Sequence, residues 1–203
     1  MHPAIGVVVG YILGSIPFAY LAGRITRGID LRQHGSGNLG ATNVYRTLGW
    51  KVAVVVFLFD VLKGAVPVLL VLRFGVGDHR NLWAIAAGIA AIAGHAKPIF
   101  LLWRGGGKGV ATATGVFMAL APIPTLIAVA TWLAVVSMSG YVSLGSLLAA
   151  VALPIAIGLI VGVHAALFPV SVAIALFVFW SHRANIGRLR RGEEHRFGRK
   201  ASA

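Results

Sequence analysis

Long apolar runs, cut by glycine, proline or charge, set the pattern of this chain. They predict helices at about 4–22, 52–72, 82–93, 144–161 and 168–181. The uncharged stretch 109–140 is too long for one helix, and Pro122 and Pro124 near its middle predict a break into two short ones. That makes seven helices, some short enough to be tilted, partial or re-entrant. From Gly109 to His182 there is no Asp, Glu, Lys or Arg, a stretch far longer than the ~20 apolar residues one crossing needs. The expected fold is an all-α polytopic integral membrane protein. It forms a single membrane-embedded domain over 1–203, with a basic tail over about 182–203 and no internal repeat.

Composition sharpens this picture. Only 11% of the 203 residues are charged and 58% are hydrophobic, whereas a soluble domain carries roughly a quarter charged residues. A net charge of +13 would ordinarily raise nucleic acid as a partner. Here the cations lie in short loops and at the C-terminal end, the distribution of a positive-inside protein. Arg24, Arg27, Arg32, Arg46 and Lys51 follow the first helix, and Arg183, Arg188, Arg190, Arg191, Arg196, Arg199 and Lys200 fill the tail. Both groups are expected on the cytoplasmic side, so an even number of crossings separates them and the N-terminus lies outside. Seven helices then put 95–108 and 140–145 inside, and 74–81 and 162–167 outside. The absence of Lys and Arg before the first apolar run predicts a retained helix rather than a cleaved signal peptide. Zero cysteines exclude thiol nucleophiles and thiolate metal sites. Five carboxylates leave little to build a divalent-cation cluster from, and no metal or cofactor is expected.

Three segments are more polar and glycine-rich than connecting loops require. The first, 35–46, carries Gly35, Ser36, Gly37, Asn38, Gly40, Thr42, Asn43 and Arg46; small residues admit a ligand close to the backbone while Ser, Asn and Thr offer neutral hydrogen bonds. A flexible turn is the plain alternative. The second, Arg104, Gly105, Gly106, Gly107, Lys108, Gly109 and on to Thr112, exposes consecutive amides beside a lysine and a helix start, an anion cradle. The Walker spacing is absent, since Gly109 stands where Ser or Thr should follow the lysine. The third is the tail, where His182, Asn185 and Arg188 can share one helix face; contact with anionic headgroups explains such a tail equally well. In addition, Asp60 and Lys63 sit three apart in mid-span, either as a functional pair or as a mutually neutralising structural one. Ser143 lies in a hydroxyl-rich junction. His95, ahead of Lys97 and Pro98, is expected to be structural.

In this order, from about Gly14 to Phe197, the motifs resemble the bacterial acyl-phosphate:glycerol-3-phosphate acyltransferases, the PlsY family. The resemblance rests on the Gly-Ser-Gly-Asn loop through Arg46, Asp60 with Lys63 and Gly64, and Gly94-His95 with Pro98. It continues through Gly106 to Thr112, Tyr141 with Ser143 to Gly145, and His182 with Asn185, Ile186 and Arg188. The family usually has two glycines before the lysine, whereas this chain has three.

The resemblance implies an enzyme that moves an acyl group from acyl phosphate to the sn-1 hydroxyl of glycerol 3-phosphate. Lysophosphatidic acid and phosphate are the products, at the first step of phospholipid biosynthesis in the bacterial cytoplasmic (inner) membrane. Functional coupling to the enzyme that forms acyl phosphate is implied as well. Ser36, Lys108, His182 and Asn185 are the implied catalytic residues. Gly37, Asn38, Thr42, Asn43, Arg46, Gly105, Gly106, Gly107, Gly109, Thr112, Ser143 and Arg188 are the implied substrate-binding residues, and Asp60, Lys63 and Glu194 the structural ones. Lys108 and its glycines would hold the donor phosphate, while Arg46, His182, Asn185 and Arg188 would recognise glycerol 3-phosphate.

Physical chemistry supports the same demands: two phosphate-bearing anions must meet, and cations with backbone amides offset their repulsion. Rival readings fit less well. A transporter of small phosphorylated anions should bind at mid-membrane between related halves. A CDP-alcohol phosphotransferase would need clustered aspartates, and Asp30, Asp60 and Asp78 are scattered. No histidine has an aspartate five positions later, which excludes the His-x4-Asp acyltransferases.

Overall fold

The computed structural model describes residues 2–77 and 79–197, so Met1, Asp78, Arg199 and Lys200 lie outside the described residues. Those described are helical with no strand, and they divide between Leu120 and Ala121 into two compact units.

The first unit opens with α1 (Pro3–Gly14) and α2 (Phe18–Arg27), where one helix over 4–22 was predicted. The interruption has a local cause. Pro17 offers no N–H and disfavours helix at Ile16, and α1 closes with Ser15 donating from both N and Oγ to the Tyr11 carbonyl at 2.9 and 2.7 Å. A 3-10 turn (Leu31–Gln33) leads to α3 (Ala41–Leu48), α4 (Trp50–Phe74), α5 (Arg80–Ala96), a second 3-10 turn (Ile99–Leu101) and α6 (Val110–Leu120). Helix α3 lies within the motif expected to be a loop. It forms because its inner face can bury Val44 and Asn43 while Arg46 stays exposed.

Packing in this unit relies on missing side chains. A Cβ at Gly10 or Gly14 would overlap the Ala87 or Ala91 carbonyl, so α1 lies directly on the backbone of α5. Gly64 meets Thr112 and Gly115 meets Val61 in the same way, drawing α4 against α6. Such close crossings suit helices that gain little hydrophobic drive from lipid. Outward faces remain apolar: Leu58, Leu62 and Leu69 on α4 are half exposed, as befits side chains solvated by lipid tails.

The second unit contains α7 (Pro122–Ser139), α8 (Val142–Ile160), α9 (Leu167–Ser181) and α10 (Arg183–Arg190). The break predicted within 109–140 falls at Ala121, immediately before Pro122. It is uneven: α7 has 18 residues and α6 only 11, or about 16 Å at 1.5 Å per residue, half of a ~30 Å hydrocarbon core. By length and apolarity five segments can cross a membrane: Ala4–Arg27, Trp50–Phe74, Arg80–Leu101, Pro122–Ser139 and Val142–Ile160. A sixth is added if α9 and α10, bent by 59°, count as one. Seven full spans are not reached on this measure.

Candidate active site

In the first unit the two glycine-bearing segments meet. The Leu39 amide donates to the Gly106 carbonyl at 3.2 Å, and Arg32 Nη1 donates to the Arg104 carbonyl at 3.0 Å. Arg32 is itself clamped on Asp30, through Nε at 3.0 Å and Nη2 at 2.6 Å, while its guanidinium lies 5.3 Å from the Tyr20 ring centre. The Arg32 hydrogen bonds hold the Asp30 carboxyl at about 2, below its usual 3.8. Within the first motif Asn43 is fully buried. Its Oδ1 accepts from the Ser36 amide at 2.9 Å and its Nδ2 donates to the His34 carbonyl at 3.0 Å. One side chain therefore shapes the turn that presents Ser36.

The glycine loop is approached through two non-glycine residues at positive φ, Leu102 (51°) and Trp103 (58°). Such conformations cost about 1–3 kcal/mol each and persist only where neighbours impose them. Here the Trp103 indole donates to Tyr11 Oη at 2.8 Å, and Tyr11 donates to the Lys97 carbonyl at 2.9 Å. Gly105 and Gly109 then take φ of +89° and +81°, conformations that favour glycine. Half-buried Lys108 stands two residues before α6, whose first-turn amides have no intrahelical acceptor. Amides, a lysine and an adjacent polar turn are thus drawn together within the first unit.

In the second unit the tail folds around one carboxylate. Glu194, 7% exposed, accepts from Asn185 Nδ2 at 2.7 Å, Ser143 Oγ at 3.0 Å and Arg188 Nε at 2.7 Å. Burial alone would raise its pKa, but the bonds from Asn185, Arg188 and Ser143 together outweigh burial and hold it below the ordinary carboxylate range. His182 is buried with Nδ1 2.8 Å from the Val178 carbonyl. A carbonyl only accepts, so that contact places a proton on Nδ1. The Phe197 amide closes the fold onto the Gly140 carbonyl at 2.7 Å.

Residues 4–192 match the family model described as Glycerol-3-phosphate acyltransferase. The chain belongs to the glycerol-3-phosphate acyltransferase family. It is 54% identical over 187 residues to the glycerol-3-phosphate acyltransferase of Geobacter metallireducens, covering 92% of this chain and 93% of that one. It is 49% identical over 197 residues to that of Synechococcus sp. strain CC9902, covering 97% and 96%. The fold is similar to a crystal structure of PlsY, an integral membrane glycerol 3-phosphate acyltransferase, in its glycerol 3-phosphate form. The TM-score is 0.88 at 39% identity, covering 97% of this chain and 96% of that one. The lysophosphatidic acid form of PlsY gives 0.84 at 38%, covering 97% and 95%.

This acyltransferase is thus a bacterial membrane enzyme of phospholipid biosynthesis acting on glycerol 3-phosphate, which removes the transporter alternative. Its fold brings Ser36, Gly37 and Asn38 into one unit with Gly105–Gly109 and Lys108, and gathers Ser143, Asn185, Arg188 and Glu194 in the other. Not every expected binding residue faces outward. Asn43 is bound up in the Ser36 turn, and Thr112 is completely buried where α6 meets Gly64, its hydroxyl without a hydrogen-bond partner. Asp30, Arg32, Tyr11 and Trp103 were missed because the contacts of Arg32 with the Arg104 carbonyl, of Trp103 with Tyr11 and of Tyr11 with the Lys97 carbonyl join residues far apart in sequence, with Asp30 acting through Arg32. Only the Asp30-Leu31-Arg32 spacing offered a local signal. Among the described residues no three His, Asp or Glu gather as metal ligands.

Proposed function

We propose that this acyltransferase uses acyl phosphate as donor and esterifies the sn-1 hydroxyl of glycerol 3-phosphate. The reading is carried by the joining of the Ser36 turn to the Gly105–Lys108 loop through Leu39–Gly106 and Arg32–Arg104. The joined segments form a cradle for a phosphate-bearing headgroup. The glycerol oxygen attacks the acyl carbonyl carbon and the bond from that carbon to the phosphate oxygen breaks. Phosphate leaves, and a donor phosphate oxygen takes the hydroxyl proton. Lys108 and the neighbouring amides offset charge on the donor and its leaving group, as preorganised donors do in acyl transfer. Ser36, Gly37 and Asn38 orient the same headgroup. Arg46 recognises the acceptor phosphate with its planar fork, and His182, Asn185 and Arg188 are assigned to acceptor recognition from the motif order. Phosphate is already a good leaving group, so neither an acyl-enzyme nor a metal is required.

The same reading takes the whole of 1–203 as one acyltransferase domain in the bacterial inner membrane. It has seven crossings with α6 as a short one, the N-terminus outside, and the polar motifs and basic tail in the cytoplasm. An acyl-phosphate-forming enzyme would supply the donor. The deciding experiment incubates purified protein with glycerol 3-phosphate and acyl phosphate and measures phosphate release, with acyl-CoA and acyl carrier protein thioesters as alternatives. Equal turnover with either thioester would reject the donor assignment. Chelator treatment should leave the rate unchanged, and a loss restored only by a divalent cation would reject metal independence.

A further inference from the structure

The mid-span charges are left unexplained by the reaction, yet the fold connects them to it. Asp60 is 1% exposed, Lys63 5% and His95 6%. Lys63 Nζ lies 2.7 Å from Asp60 Oδ1 and donates to the Ile16 carbonyl at 2.9 Å, in the break between α1 and α2. It also sits 5.4 Å from the ring centre of Phe18. The Ile16 carbonyl lies in the break of a membrane segment and accepts from the Phe18 amide at 3.1 Å as well as from Lys63, protein donors that stand where water is scarce. On the other side, His95 Nδ1 lies 3.6 Å from Asp60 Oδ1. That oxygen has no well-directed hydrogen bond among the described residues, so its tie to Lys63 is one of charge.

The far edge of the same imidazole reaches the glycine loop. The Gly107 amide donates to the His95 carbonyl at 3.1 Å. A Cβ on Gly107 would overlap His95 Nε2, and would stand 2.9 Å from the Leu39 carbonyl. Gly107 therefore packs closely on both the His95 ring and the first polar motif. Gly106, Leu39, Lys63, His95 and the α1–α2 break line one narrow cleft.

We propose that Asp60, Lys63 and His95 form a positioning device for the glycine loop. Lys63 ties Asp60 to the α1–α2 break, Asp60 fixes the His95 ring, and His95 sets the height of Gly107 and hence of the Gly106–Lys108 backbone. All three are positioning residues, and none touches substrate. The proposal rests on the reading that this loop binds the donor phosphate. It accounts for two buried charges whose removal from water is costly, and for a glycine at a position where any side chain would displace His95.

The test is steady-state kinetics of His95→Ala and His95→Gln with acyl phosphate and glycerol 3-phosphate, alongside thermal unfolding of the purified protein. His95→Ala is expected to raise the acyl-phosphate KM and lower kcat, about tenfold in kcat/KM, with the glycerol 3-phosphate KM within about twofold. His95→Gln, whose amide can reach toward Gly107, should recover most of that loss. Parent-like kinetics for His95→Ala would overturn the proposal. So would equal impairment of both variants toward both substrates, the mark of plain packing. If the His95 variants do not fold, Gly107→Ala disturbs the same contact from the loop side. It should show the same donor-selective loss, and full activity would overturn the proposal. Lys108→Ala measured in parallel separates the two ideas: normal donor kinetics there would reject the phosphate assignment of the loop itself.

Discussion

The glycine loop of the first unit and the tail of the second both carry polar groups out of apolar helices, but different bonds hold them. The loop is fixed mainly by main chain: Leu39 to Gly106, Gly107 to His95, and Arg32 to the Arg104 carbonyl. The tail converges on one side chain, Glu194, which accepts from three others. A loop shaped by its backbone depends little on its side chains for that shape, so its side-chain substitutions should damage turnover more than stability. A tail gathered on a carboxylate should show the reverse.

The largest effect is therefore expected at Lys108. Lys108→Ala should lower kcat at any acceptor concentration by about 3 kcal/mol or more, by analogy with loss of an oxyanion-hole donor, while the unfolding temperature stays close to that of the parent. A large fall in stability with kcat intact would invert the comparison. Glu194→Gln should do the opposite first. It keeps an acceptor for Ser143 and Asn185 but loses the charge facing Arg188, about 2 kcal/mol for a charge-assisted bond in a buried setting, read as a lower unfolding temperature. Acid should mimic it. The folded pKa of Glu194 lies below its usual 4.5, so its stabilisation is complete above that value and is lost as pH falls through the folded one. Asp30, held at about 2 against 3.8, begins to lose its share only below 3.8. Thermal unfolding at stepped pH should show Glu194→Gln removing acid sensitivity that begins near 4.5.

Arg46→Lys should have a smaller effect. Exposed on α3, the guanidinium offers a fork that lysine cannot reproduce. The glycerol 3-phosphate KM should rise about tenfold, consistent with one weakened charged hydrogen bond, with the donor KM nearly unchanged. A rise in the acyl-phosphate KM alone would reverse the assignment of substrates to residues.

Much of this arrangement was legible in the sequence because it is local. Apolar runs marked the helices, Pro122 marked the break at Ala121, and consecutive glycines marked the loop. Illegible features depended on distant partners. Pro17 gave a hint of the α1–α2 break, but nothing near it showed that Lys63 would serve the Ile16 carbonyl. Helix α3 was hidden in a run rich in Gly, Asn and Thr, weak helix formers, because burial of Val44 and Asn43 decides it. Leu102 and Trp103 carry no left-handed signature at all; the Tyr11–Trp103 bond imposes it from 92 residues away.

The smallest expected effect tests whether burial, rather than charge sign, distinguishes the two anchors. Glu193 precedes Glu194 and also pairs with an arginine at 2.7 Å, Arg191. The distances and the chemistry match, but the side chains of Glu193 and Arg191 are 56% and 60% exposed, whereas that of Glu194 is 3% exposed. Water screens the outer pair and competes for both partners, and holding two long side chains together has an entropic cost, so such pairs contribute about 0–1 kcal/mol. Glu193→Gln should therefore change the unfolding temperature by no more than the equivalent of about 0.5 kcal/mol, and raised salt should erase even that difference. An effect of Glu193→Gln as large as that of Glu194→Gln would mean that the tail is held by its overall charge balance rather than by the buried convergence on Glu194.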